Sequence, residues 1–161
     1  MSAVKVHLEI GDMKVNFEGS SEQVFDSLLR FISQICPNIE LLRRIMYTPD
    51  LAKIINNISG LVEISSSGPI INPSLELSAK NAICLALLGA YVGSRIGKLS
   101  KDTLSVGELS RLTGKAKKTV TNELPKLIEG GLVERASEGE YKITELGVRR
   151  TEEIIKVIKG I

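Results

Sequence analysis

The segment Ala82-Ile83-Cys84-Leu85-Ala86-Leu87-Leu88-Gly89-Ala90-Tyr91-Val92 is apolar on nearly every side. A helix of that kind has no face for water, so it must be surrounded by protein. Ser78 is placed to cap its start. The uncharged stretch around it, Asn81 to Ser94, is too short to cross a bilayer. The sequence therefore predicts a globular protein built around one buried helix, cytoplasmic and without a membrane partner. Ala82, Ala86 and Ala90, with Gly89 and Gly93, are small residues four apart. They admit another backbone closely, either from this chain or from a second copy.

Charge divides around the Ser65-Ser66-Ser67-Gly68-Pro69 and Asn72-Pro73-Ser74 stretches, whose residue types suit a connection. Through residue 77 the chain holds 6 Lys/Arg and 9 Asp/Glu; from residue 78 it holds 15 and 10. The expected fold class is α+β, with a small sheet-and-helix domain over residues 1–72 and a second domain over 73–161.

In the first domain Val4, Val6, Leu8 and Ile10 alternate with Lys5, His7 and Glu9; after Gly11-Asp12, Met13, Val15 and Phe17 alternate with Lys14, Asn16 and Glu18. This predicts a hairpin with one buried face and a solvated His7 on the other. Ser20 and Gln23 form a capping box for a helix carrying Phe25, Leu28, Leu29, Ile32, Ile35 and Cys36, stopped by Pro37. Shorter helices are expected through Leu41, Leu42, Ile45 and Met46, and from Thr48-Pro49, as N-cap and first-turn proline, through Leu51, Ile54, Ile55 and Ile58 to Gly60. Leu61 to Ser65 and Pro69 to Ile71 read as strands of the same small sheet. Cys36 and Cys84 read as core residues; a disulfide between them is the alternative in a hyperthermophile.

The second domain continues with Ser105 to Gly114, a short helix turning Val106, Leu109 and Leu112 inward. A second helix is expected from Lys115 to Glu129 on a stripe of Val120, Leu124, Leu127 and Ile128, with Pro125 expected to kink it. After Gly130-Gly131, residues 132–144 read as a hairpin turning at Glu138-Gly139. A last helix, from Thr144 to Lys159, carries Ile154, Ile155 and Ile158, with Ile161 beyond. It either builds a homodimer, as the central helix also could, or packs back on this chain.

These pieces resemble the winged helix-turn-helix family of DNA-binding domains, small archaeal regulators and those of the MarR, ArsR and PadR sort in particular. The likeness lies in Thr113-Gly114, in Lys117-Lys118-Thr119-Val120-Thr121-Asn122 with Leu124 and Leu127, in Gly130-Gly131-Leu132-Val133-Glu134-Arg135, and in Gly139 with Tyr141-Lys142-Ile143-Thr144-Glu145-Leu146-Gly147. It covers residues 78–161 and implies a recognition helix in the major groove of double-stranded DNA, as in a transcriptional regulator.

Charge supports that expectation independently. Arg111, Lys115, Lys117 and Lys118 occur with no acid among them at the start of the second helix, the end that enters a groove. Thr119, Thr121 and Asn122 are expected near base edges, Lys126 beside them, and Arg135 and Lys142 at the wing base. Glu138 and Glu140 at the wing turn would repel phosphate. That acidic wing suits the competing class, a non-catalytic winged-helix docking module of a replication, transcription or division complex.

Enzyme chemistry finds no footing. Gly93-Ser94-Arg95-Ile96-Gly97-Lys98-Leu99 lacks the spacing and the hydroxyl of a phosphate-binding loop. One His and two Cys offer little for a metal or a nucleophile pair, and no cofactor is expected. The first domain is expected to oligomerise, sense a ligand or recruit a protein partner.

Overall fold

The computed structural model describes residues 2–35 and 47–161. The chain forms two compact units, Met1–Tyr47 and Thr48–Ile161. Helices combine with small antiparallel sheets, and among the described residues no helix is long and apolar enough to cross a membrane.

In the first unit the alternating pattern forms β1 (Val4–Ile10) and β2 (Met13–Gly19), with Ile10 opposite Met13 across a two-residue turn. Gly11 takes the left-handed conformation there, at φ +58°, which a side chain would oppose. Lys5–Glu18 at 3.2 Å and Lys14–Glu9 at 3.4 Å pair across the polar face. Ser20 and Gln23 close the expected capping box, each backbone amide donating to the other side chain, and α1 (Ser21–Ile35) follows. Phe31 of α1 meets Phe17 edge-on at 5.8 Å. Cys36, Pro37 and the stretch with Leu41, Leu42, Ile45 and Met46 lie outside the described residues.

The second unit corrects the division expected at residues 72 and 73. α2 (Leu51–Ile58) and a separate hairpin, β3 (Val62–Ser65) with β4 (Gly68–Ile71), belong to this unit and not to the first sheet. The cause is α3 (Ala79–Arg95), buried from Ala82 to Ala90. Its glycines receive the hairpin: a Cβ at Gly89 would stand 2.6 Å from the Pro69 ring, and one at Gly93 would stand 3.0 Å from Ile64 and 2.5 Å from Leu99. The small-residue face of the central helix is therefore filled from within the chain. The serines form a turn instead of a linker, Ser65 Oγ donating to the Gly68 carbonyl at 2.8 Å.

Helix starts also shift. Asp50, not Thr48, caps α2, its carboxylate accepting from the Lys53 amide. Ser78 caps α3 as expected. Cys84 is buried and its thiol is free; burial pushes it up to about 11 against the pull of Lys80 and Thr151, so it stays a neutral core group at ordinary pH.

β5 (Leu104–Ser105) leads into α4 (Val106–Thr113), followed by α5 (Lys117–Glu129), β6 (Val133–Ser137), β7 (Glu140–Ile143) and α6 (Glu145–Lys159). The three strands form one sheet in the order β5-β7-β6. α3 packs against α4, α5, α6, β7 and the β3-β4 hairpin, so it is the common core of the unit. α6 packs back on α3 through Val148, Thr151 and Ile155. Of the isoleucines expected in its apolar stripe only Ile155 is buried; Ile161 lies past the helix, 80% exposed. The seat lies a turn earlier because Gly147 brings the start of α6 directly against the backbone at Leu132.

Candidate nucleic-acid interface

Ser105 caps α4 through a capping box with Glu108, and Gly114 ends it in the left-handed conformation at φ +69°. The turn to α5 is held from inside. Ser110 Oγ donates to the Lys115 carbonyl at 2.7 Å, and the Lys115 amide donates to Thr113 Oγ1 at 3.3 Å. Lys115 thus sits in the connecting turn, half-buried, and α5 begins two residues later than its charge pattern suggests, at Lys117.

Ala116 precedes α5 without a side-chain cap. The first amides, of Lys117, Lys118 and Thr119, therefore face outward uncapped, where they and the helix dipole favour an anion. α5 buries Val120, Leu124 and Leu127 and runs on through Pro125 to Glu129, a continuous helix despite the missing amide hydrogen. Lys118, Thr121, Asn122 and Pro125 then share one exposed ridge at three- and four-residue spacing. Thr121 donates its hydroxyl proton to the Lys117 carbonyl at 2.8 Å, which leaves its oxygen as an acceptor. Asn122 and Thr119 are exposed, and among the described residues the Asn122 amide makes no internal bond.

The ten basic and polar residues expected at the interface separate into two groups. Among the described residues Arg111, Lys115, Lys117 and Lys118 make no ion pair. Lys126 pairs with Glu123 at 3.4 Å and Lys142 with Glu134 at 3.3 Å. Arg135 lies 5.6 Å over the Tyr141 ring and donates to its hydroxyl at 3.3 Å. Uncommitted charge therefore gathers at α4, the turn and the start of α5. The chain matches no family model, no curated protein and no solved structure.

Sequence reasoning missed the clamp that holds this assembly together. Lys101, ahead of β5, reaches Glu140 Oε1 at 3.1 Å and Glu108 Oε2 at 3.4 Å, tying β7 to the first turn of α4. Glu140 is thus turned inward instead of repelling phosphate at the tip, and its Oε2 has no partner among the described residues. The Ser-x-x-Glu spacing of Ser105 and Glu108 was the available signal for half of it.

This clamp has a pH window. Desolvation pushes the Glu108 carboxyl up, but the Ser105 amide, the Lys101 charge and the Ser105 hydroxyl outweigh it, so the carboxyl titrates below its ordinary range. Its contribution is present above the unfolded value and is lost as pH falls through the folded one. The bond to Glu140 raises Lys101, against desolvation and with help from both carboxylate charges; that contribution is lost only as pH rises through its folded value. Glu108→Gln keeps the capping box and removes the charge. It should flatten the acid limb of thermal midpoint against pH between about 3 and 5 by a few degrees, since partly exposed pairs contribute up to about 1 kcal/mol. An unchanged acid limb in a pH series of melts would show that the clamp carries no stability.

Proposed function

We propose that the second unit is a winged helix-turn-helix that binds double-stranded DNA, with α5 as the recognition helix and β6-β7 as the wing, and that the protein regulates transcription. One observation carries the reading: four cations that make no ion pair among the described residues surround the uncapped start of an exposed helix. A solvated face explains positive charge, but not its coincidence with free amides and an unbonded Asn122 on the same ridge.

Phosphates would be met by Arg111, Lys115, Lys117, Lys118 and the first amides of α5. Thr119, Thr121 and Asn122 would face base edges, Asn122 donating to and accepting from adenine together. The wing contributes little in this arrangement, because Arg135 and Lys142 are already engaged and Glu138 is exposed at the turn. That same wing favours the second reading, a protein-docking module.

Duplex binding measured across a salt series separates the two. Four neutralised phosphates give a log-log slope of roughly −3.6 per bound unit, and Asn122→Ala weakens the preferred sequence by about 1–3 kcal/mol while sparing unrelated duplexes. An equal loss on every sequence rejects Asn122 as the reader. No binding at about 50 mM salt rejects the regulator and favours the docking module.

A further inference from the structure

The described part of the first unit buries little of its apolar surface. Among its described residues Val24 alone is buried, and the apolar column of β1 ends in Val4, 37% exposed, and Ile10, 45% exposed. A two-stranded hairpin is marginal without a third strand or further packing, and so small a unit commonly completes its core by association. Among the described residues β1 pairs with β2 alone, and no described strand lies along its other edge.

That edge is complementary to itself. A two-residue turn closes on a hydrogen-bonded pair, so the even-numbered residues of β1 exchange backbone bonds with β2, and Lys5, His7 and Glu9 turn theirs outward. Setting β1 antiparallel to a second β1 about His7 matches those outward groups and puts Lys5 opposite the second copy's Glu9. With the existing pairs, one row across four strands then reads Glu18, Lys5, Glu9, Lys14, alternating in sign throughout. On the other face Val6 meets Leu8, and the two exposed ends, Val4 and Ile10, cover each other. The His7 ring bonds Asn16 at 2.5 Å and Glu9 at 2.9 Å within its own hairpin, so it is not needed at the seam. The same operation on β2 also opposes Lys14 to Glu18, but it sets the exposed Met13 against Gly19 and leaves it uncovered.

We propose that two copies of this chain associate through the outer edge of β1, joining their hairpins into one four-stranded antiparallel sheet centred on His7. The inference concerns the first unit and stands apart from the DNA-binding reading.

Light scattering on the full chain should give twice the mass of one chain at micromolar concentration. Lys5→Glu, which opposes two glutamates at each end of the seam, should weaken association at least 10-fold. Its folding is checked by circular dichroism. His7→Cys provides the register test, because directly opposed antiparallel residues bring Cα atoms to about 5.5 Å, within disulfide reach. Mild oxidation should yield a 7–7 linked peptide by mass spectrometry at least 10-fold faster than Asn16→Cys yields a 16–16 one. A monomer up to about 100 μM overturns the proposal. So does a dimer that links through Asn16→Cys or through Val157→Cys on α6 in preference to His7→Cys.

Discussion

Lys117→Glu with Lys118→Glu should abolish duplex binding at about 0.1 M salt, lowering affinity at least 100-fold. Each lysine is exposed and, among the described residues, without an ion pair, so neither substitution breaks an internal contact. A hydrogen bond to a charged group is worth about 1.5–3 kcal/mol, so two lost phosphate contacts cost about 3–6 kcal/mol before repulsion is added, and every 1.4 kcal/mol is tenfold. Losing two of four neutralised phosphates should also bring the salt slope from roughly −3.6 to roughly −1.8. Stability moves the other way. Glutamates in the first turn favour the dipole of α5 by about 0.3–1 kcal/mol, so the variant should melt no lower than wild type. Arg135→Ala and Lys142→Ala, which remove charges already committed to Tyr141 and Glu134, should each change affinity less than about 3-fold. Wild-type binding by the double reversal would remove α5 from the interface; weak binding with a collapsed melting point would indicate a folding defect instead.

The asymmetry between those cations was hidden in the sequence for a specific reason. A turn at Glu138-Gly139 with regular pairing would set Lys142 opposite Arg135, two free cations side by side. The irregularity between Arg135 and Ser137 shifts the register, bringing Lys142 opposite Glu134 and Arg135 opposite Tyr141. No periodicity announces one extra residue. The front on α4 and α5 was legible because it needs only local information: Val120, Leu124 and Leu127 fix which face is inward, and the lysines follow from the helical repeat. The charge pattern cannot separate Lys115 from α5, because its backbone bonds to Ser110 and Thr113 are made by the turn and leave no periodic trace.

The same contrast runs through the fold. Strict alternation with Gly11 between the runs makes β1, and β2 up to its last residue Gly19, readable, and a charge-free run makes α3 readable as the core. β5 is two residues long and has no period to detect. Nothing local separates the hairpin after α2 from the first sheet, because its destination, the glycine face of α3, lies far along the chain. Composition marks residues 65–74 as a connection; they hold instead a tight serine turn and β4, with Gly68 and Pro69 buried. Local chemistry located the turns correctly, and long-range packing decided what they joined.

Gly147→Ala puts that long-range packing to a test with a large effect. Inside a helix the change normally stabilises by about 1 kcal/mol, because alanine loses less backbone freedom. Here a Cβ would lie 2.0 Å from the Leu132 carbonyl oxygen and 2.7 Å from Ile143 Cγ1. The side chain could turn aside, but the carbonyl cannot: it accepts from the Thr144 amide at 3.0 Å, while Thr144 Oγ1 donates to the Gly131 carbonyl next to it at 2.6 Å. The start of α6 must therefore lift, pulling Val148 and Thr151 out of the core. Overpacking alone costs about 1–3 kcal/mol and exposing part of α6 adds to it, so the expected loss is about 3 kcal/mol or more in urea unfolding. Gly107→Ala is the matched control. It sits in the first turn of α4, its Cβ would meet only Ser105 Oγ at 3.9 Å, and the same substitution should stabilise by up to about 1 kcal/mol. Opposite signs at the two glycines are the signature of α6 seated on the Leu132 backbone just before β6; equal stabilisation at both would mean that α6 does not rest there.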